Sequence, residues 1–141
     1  MNLSIKIYDS ISIEKLKYEA SLSDLKRSRI LLHDSTQDQI QQMLIVIHRD
    51  SRIEMHRHPK HKSESYHMIE GVMRVSYWDI ESEKFSVIDY DASNNENNPI
   101  FGRHGNGIWH MPQSLTEWSV YLETYDGPFV KEEDVEFLTN D

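Results

Sequence analysis

The chain has 141 residues, about the length of one ordinary domain, with 24 acidic and 15 basic side chains and a formal net charge of -9. This excess of negative charge disfavours nucleic acid and anionic membranes as partners, and no apolar run is long enough to span a bilayer. The absence of cysteine excludes disulfides, thiolate nucleophiles and thiolate metal ligands. We therefore expect a single cytoplasmic domain over residues 1–141.

The N-terminal segment, residues 1–25, predicts a short strand followed by a helix. Residues 5–8 alternate between apolar and polar side chains, as a strand does. Ser12 can cap a helix that runs to about residue 22, because its hydroxyl can accept from the free amides of the first turn. The helical spacing of the apolar residues after it supports this helix.

From Ile30 onward the apolar residues recur with a period of two, which predicts a barrel over residues 30–126. The predicted strands cover residues 39–48, 54–58, 64–70, 72–80, 84–90, 107–111 and 116–125. No helical pattern lies between them, so they indicate a mainly β, antiparallel sandwich or barrel. Residues 92–106 read as a long irregular loop, and the acidic tail, residues 130–141, reads as a solvated arm.

The densest signal for chemistry is a group of histidines with one glutamate. His56 and His58 are two residues apart and so project from the same face of a strand. A short loop would return the chain and bring Glu64 beside them, and His110 from a distant strand could complete the set. These ligands suit one divalent metal ion such as Zn, Fe, Mn or Ni, with positions left open for exchange.

Two further residues are candidates for proton transfer near this metal. Tyr66 has the same strand parity as Glu64, so its phenol could act as a general acid, although core packing is an equal alternative. His104 lies in a glycine-rich segment before His110, and we expect it at the mouth of a pocket. His67 has the opposite parity, which predicts a position on the outer face.

This pattern resembles the two sequence motifs of the cupin superfamily. The residues that fit the first motif, Gly-x5-His-x-His-x3–4-Glu-x6-Gly, are His56, His58, Glu64 and Gly71. Gly107 and His110 fit the centre of the second motif, whereas Asp50 stands in place of the leading glycine of the first. The resemblance implies a small jelly-roll-like barrel with one N-terminal helix and a bound metal.

A closer resemblance is to the WbuC-type cupin-fold metalloproteins of bacterial surface-polysaccharide gene clusters. It extends from about Ile11 to Phe129 and covers several short segments, among them Arg27-x-Arg29, His56-Arg57-His58, residues 62–71, Trp109-His110 and Glu123-Thr124. The family implies a role near O-antigen or capsule sugar synthesis. It does not imply a settled reaction.

The residues and the resemblance together predict a metal-dependent enzyme. Isomerisation or epimerisation of a sugar or sugar nucleotide fits a Lewis-acid metal beside a proton-transfer group. Two alternatives stay open, an iron-dependent dioxygenase and a non-catalytic module that binds a metal or a small molecule. The basic residues expected around the pocket mouth are Arg57, Lys60, Lys62 and Arg103. We also expect a homodimer, because small barrels expose strand edges.

Overall fold

The computed structural model describes residues 4–138. Within this range the chain forms two helices and ten strands. Their bounds are α1 Ser10–Leu22, β1 Arg27–Leu31, β2 Ile40–His48, β3 His56–Arg57, β4 Glu64–Glu70, β5 Val72–Asp79, β6 Lys84–Asp91, β7 Phe101–His104, β8 Trp109–Ser114, β9 Trp118–Asp126, α2 Lys131–Asp134 and β10 Glu136–Phe137. The predicted fold class, an antiparallel β barrel with one main helix, is confirmed.

Two five-stranded antiparallel sheets make up the barrel, in the strand orders β1-β2-β9-β4-β7 and β10-β3-β8-β5-β6. Buried side chains of both sheets meet between them and form the main core. A second core lies on the outer face of the first sheet, where Leu16 and Ala20 of α1 pack against Leu44 and Val46 of β2. Strand β2 is therefore covered on both faces, which explains its continuous apolar sequence.

The N-terminal helix begins earlier than predicted, because Asp9 and not Ser12 is the capping residue. The Asp9 carboxylate accepts from the backbone N–H of Ser12 at 3.0 Å, and the Ser12 hydroxyl faces back to the Asp9 amide. The predicted strand at residues 5–8 is wrong. Ile5 and Ile7 are exposed and have no neighbouring strand among the described residues, and isolated strands do not form without a pairing partner.

The predicted loop at residues 92–106 contains a strand, β7. This strand pairs with β4 and places Gly102 against the ring of Tyr90, where an added Cβ would lie 2.8 Å from the ring. Phe101 and Arg103 point outward and are exposed, so the segment lacks the apolar character that would have marked it as a strand. Gly102 therefore allows the Tyr90 ring to pack closely against the backbone, and it does not mark a flexible loop.

The acidic tail also differs from the prediction of a solvated arm. Within its described part, α2 and β10 fold back on the barrel, and β10 pairs with β3. Asp134 is only 2% exposed and lies 2.7 Å from the Lys62 ammonium, and its carboxylate accepts from the Tyr125 hydroxyl at 2.8 Å. A buried carboxylate with these partners ties the C-terminal segment to the barrel.

Candidate metal centre

Two pairs of facing residues, one from each sheet, bring the predicted ligands together. Glu64 lies opposite His104 in the β4–β7 pair, and His56 lies opposite His110 in the β3–β8 pair. His58 directly follows β3 and shares the inward parity of His56. The structure thus gathers the four predicted ligands, and it adds His104 to them.

The imidazole rings are held so that their Nε2 atoms face a common centre. The Nδ1 atoms of three of them donate to backbone carbonyls, His56 to Glu54 at 2.8 Å, His58 to Asp134 at 2.8 Å and His110 to Ile108 at 3.1 Å. Because a carbonyl oxygen only accepts, each Nδ1 carries the proton. In the neutral ring Nε2 then presents a lone pair, the state in which histidine binds a metal.

The inward-facing atoms lack hydrogen-bond partners among the described residues. These buried atoms are His58 Nε2, His104 Nε2, His110 Nε2 and Glu64 Oε1. His58 Nε2 also lies 2.8 Å from Glu64 Oε2, a distance at which a protonated His58 ring donates to the carboxylate and a bound cation would take the place of that proton. Unpaired buried acceptors are costly, and a cation between them would satisfy them all.

The spacing of these groups is one that could hold a metal ion. Two overlapping triads have ligand atoms within 4.8 Å of one another. One contains His56, His58 and His110, and the other contains Glu64, His104 and His110. Nitrogen and carboxylate oxygen ligands of this kind suit divalent first-row metals.

The electrostatics of the cluster keep its carboxylate charged and the imidazoles of His56 and His110 neutral. Burial by itself would raise the pKa of Glu64, but contacts with His104 and His58 outweigh it and hold that pKa well below its usual range. Burial lowers the pKa of His110 to about 3 and also lowers the pKa of His56. For His58, burial is outweighed by the Glu64 carboxylate, and the pKa is raised.

His104 lies inside the cluster and does not line the main cavity, whereas it does line a separate open pocket together with Lys60, Lys62 and Arg103. Its Nε2 is 3.5 Å from Glu64 Oε1, and its ring centroid is 4.3 Å from that of His110. The Tyr77 hydroxyl lies 3.2 Å from His104 Nδ1 and 2.9 Å from the Tyr90 hydroxyl, which fixes the ring from behind. The short strand β7, which the sequence did not reveal, is the cause of this placement.

Tyr66 faces the interior as its parity predicts, but it does not line the main cavity. It is 1% exposed, and its ring packs 5.1 Å from His104 and 5.3 Å from Tyr121. Burial raises the pKa of Tyr66 well above its usual range. His67 is exposed on the outer face beside Phe101, as predicted.

A cavity of about 560 Å³ leads from the candidate metal centre to the surface. At its inner end it is lined by His56, His58 and Glu64, with Glu123 beside them on β9. Burial and the nearby Glu64 carboxylate raise the pKa of Glu123 well above its usual range. Sequence reasoning gave Glu123 no role, although its position in β9 has the inward parity of Tyr125.

The basic residues predicted at the pocket mouth lie elsewhere, because none of them lines this cavity. Three are engaged in ion pairs, Arg57 with Glu136 at 2.9 Å, Lys60 with Glu81 at 3.3 Å and Lys62 with Asp134 at 2.7 Å, while Arg103 donates to the Ser63 hydroxyl at 3.1 Å. The basic side chains that do line the cavity are Arg27, Arg29 and Arg52.

Solved structures with the same arrangement of strands identify the fold. Oxalate decarboxylase from B. subtilis is similar with a TM-score of 0.61 and 18% identity, over 79% of this chain and 28% of that chain. Oxalate oxidase in complex with the substrate analogue glycolate is similar with a TM-score of 0.62 and 9% identity, over 84% of this chain and 58% of that chain. Protein SO0799 from Shewanella oneidensis is similar with a TM-score of 0.70 and 7% identity, over 94% of this chain and 86% of that chain. The chain thus spans just over a quarter of the oxalate decarboxylase chain.

The fold is that of the cupins, and the buried cluster of histidines and glutamate is one that could bind a metal. Residues 8–88 match a family model described as a domain of unknown function, DUF6016, and the chain belongs to this family. No curated protein is significantly similar in sequence. Among the described residues, no helix has the length and apolar character needed to cross a membrane.

Proposed function

We propose that this chain is a cupin metalloenzyme that holds one divalent ion, Zn, Fe, Mn or Ni, through His56, His58, Glu64 and His110. The observation that carries the proposal is the convergence of buried Nε2 and carboxylate atoms without hydrogen-bond partners. His104 would supply a further nitrogen, since its Nε2 meets the same carboxylate. When bound, the metal would act as a Lewis acid on a substrate hydroxyl or carbonyl oxygen.

The residues around the ion can bind a substrate and move a proton. The cavity is within the usual size range for small-molecule sites and ends at three of the ligands. Glu123 offers a carboxyl group to the cavity, in a position to exchange a proton with a substrate carbon or oxygen. Neither Tyr66 nor His104 lines the cavity. A role of these two residues in proton transfer therefore stays a prediction.

We propose isomerisation or epimerisation of a sugar or sugar nucleotide, in the biosynthesis of a bacterial surface polysaccharide such as O-antigen, as the reaction. The resemblance to WbuC-type proteins supports the substrate class, and the pairing of a metal centre with a carboxyl group supports proton transfer. A single domain, a cytoplasmic location and a homodimer also stay predictions.

The test is to load the purified chain with each candidate metal and incubate it in D₂O with hexoses, hexose phosphates and nucleotide sugars. We expect deuterium from solvent to appear at a substrate carbon, as followed by NMR, and no oxygen consumption. Stoichiometric oxygen uptake would instead show that the chain is a dioxygenase. If the metal-loaded protein shows neither deuterium exchange nor oxygen uptake, the chain is a binding module and not an enzyme of either kind.

A further inference from the structure

Three arginines, Arg27, Arg29 and Arg52, line the cavity that leads from the candidate metal centre to the surface. Arg27 and Arg29 are alternate residues of β1 and therefore project from the same face, into the barrel. Arg52 reaches the same cavity from the segment between β2 and β3. The chain as a whole has a net charge of -9, so this cavity places three guanidinium groups within an acidic molecule.

These arginines are not used in ion pairs within the described residues, where the arginine ion pairs are those of Arg57 and Arg74. Arg27 Nη1 donates to the Arg52 carbonyl at 3.0 Å, which ties β1 to the segment that carries Arg52. The carboxylates that share the cavity are Glu54, Glu64 and Glu123. The guanidinium groups thus keep most of their N–H donors for a ligand.

The register of the sheet separates the arginines from the metal centre. Arg29 lies in line with Ile45, Tyr121 and Met68 across four neighbouring strands. Met68 is four residues from Glu64 on β4. Strand geometry therefore puts the Arg29 and Glu64 Cα atoms roughly 14 Å apart across the sheet and about 13 Å apart along it. The Arg29 side chain covers part of this separation, because its Nη1 lies 3.6 Å from Met43 Sδ and Met43 lies opposite Glu123. A ligand that contacts both the guanidinium and the metal ligands must span the cavity between them.

We infer that the cavity binds an elongated anion, with a phosphate or carboxylate group held by Arg27, Arg29 and Arg52 and a hydroxyl or carbonyl oxygen at the candidate metal centre. Guanidinium groups recognise both kinds of anion through paired N–H donors. The metal end of this inference rests on the proposed function, whereas the arginine end does not. The arginines would select phosphorylated or carboxylated compounds over neutral sugars.

The experiment measures the affinity of inorganic phosphate and of succinate for the chelator-treated, metal-free chain by calorimetry, with Arg29→Ala and Arg52→Ala as test variants. Both side chains are exposed to the cavity, so their removal should leave the fold intact. Arg103→Ala is the matched control, because it removes the same charge outside the cavity. The tighter of the two probes identifies the chemistry of the anionic end.

We expect each test variant to weaken binding of the preferred probe by about 10-fold or more, and the control to leave it within about 2-fold. Equal losses in the test and control variants, or no binding of either probe by the wild type, would overturn the inference. In metal-loaded protein, glucose 6-phosphate should bind at least about 10-fold more tightly than glucose. Phosphate binding without any metal binding would refute the proposed function and leave the arginine site intact.

Discussion

His104 lies directly opposite Glu64 in the β4–β7 pair, and its Nε2 atom is 3.5 Å from Glu64 Oε1. The Tyr77 hydroxyl contacts the other ring nitrogen at 3.2 Å and so fixes the orientation of the ring. A histidine oriented from behind and directed at a buried carboxylate is typical of a metal ligand. This relationship makes His104 part of the candidate centre.

We predict that His104→Ala lowers metal affinity by at least about 10-fold, and that Tyr77→Phe lowers it by about 10-fold through loss of ring orientation. Tyr90→Phe is the matched control, because its hydroxyl contacts Tyr77 and not the imidazole. Competition with a chromophoric chelator measures the three affinities. Unchanged affinity in His104→Ala would remove this residue from the ligand set.

The Glu123 carboxyl group should matter for proton transfer more than for metal binding. We predict that Glu123→Gln reduces the rate of solvent deuterium exchange by roughly 100-fold or more, in line with loss of a general acid–base group. Metal content should stay at the wild-type value, because Glu123 belongs to neither of the ligand triads. Loss of the metal together with the activity would instead make Glu123 a ligand.

The Lys62–Asp134 pair should anchor the C-terminal segment that holds His58. Asp134 is 2% exposed, so we predict that Asp134→Asn, which leaves the Lys62 ammonium poorly compensated, lowers the free energy of unfolding by roughly 3–5 kcal/mol. The control Glu136→Gln breaks an exposed pair with Arg57 and should cost at most about 1 kcal/mol. Denaturant titrations measure both, and equal effects would contradict the anchoring role.

The stability provided by Asp134 should depend on pH. Burial alone would raise the pKa of Asp134, but the Lys62 ammonium and the Val130 amide outweigh it and hold the pKa below its usual value. Because the pKa of Asp134 is lower in the folded state, its stabilisation of the fold is complete above the pKa of the unfolded state, about 4. This stabilisation is lost as the pH falls through the pKa of the folded state. The difference between wild type and Asp134→Asn should be constant from pH 6 to 8 and shrink below about pH 4.

Gly71 should be intolerant of any side chain. It has a φ of +79°, and a Cβ built on it would lie 2.1 Å from the Trp118 carbonyl oxygen and 2.5 Å from the Thr116 hydroxyl. We predict that Gly71→Ala destabilises the chain by more than about 1 kcal/mol, since backbone strain and a backbone clash act together. Gly105→Ala, at a position without a positive φ, is the control in a thermal melt, and equal effects would contradict this reason.

Strand parity predicted much of the site. The spacing of His56 and His58 and the turn before Glu64 were enough to place these three side chains on the interior, and His67 outside. Parity succeeds here because residues 64–67 of β4 pair regularly with a strand on each side, so each of them has a fixed side, and the irregularity of β4 lies beyond them, between Met68 and Glu70. His110 is distant from His56 in sequence, so parity does not link them. The association could be expected only because a further imidazole would complete the set of metal ligands.

The remaining parts depend on tertiary contacts that no local pattern records. Strand β7 has glycine and arginine where a buried strand would be apolar, so the position of His104 was read as a loop. Arg29 and Glu123 lie in regular strands, yet charged residues are ordinarily assigned to the solvent face. Asp134 is buried because two residues converge on it, Lys62 from 72 residues earlier in the chain and Tyr125 from nine residues earlier.

We propose that the buried cluster of histidines and Glu64 binds one divalent metal. The most direct test of this proposal is the metal content, by mass spectrometry, of chain purified without added metal and dialysed identically with His110→Ala and His67→Ala variants. We predict about one equivalent of metal in wild type and His67→Ala, and almost none in His110→Ala. Wild-type protein that holds no metal even after loading, or His110→Ala that retains it while His67→Ala loses it, would show that the cluster is not a metal site.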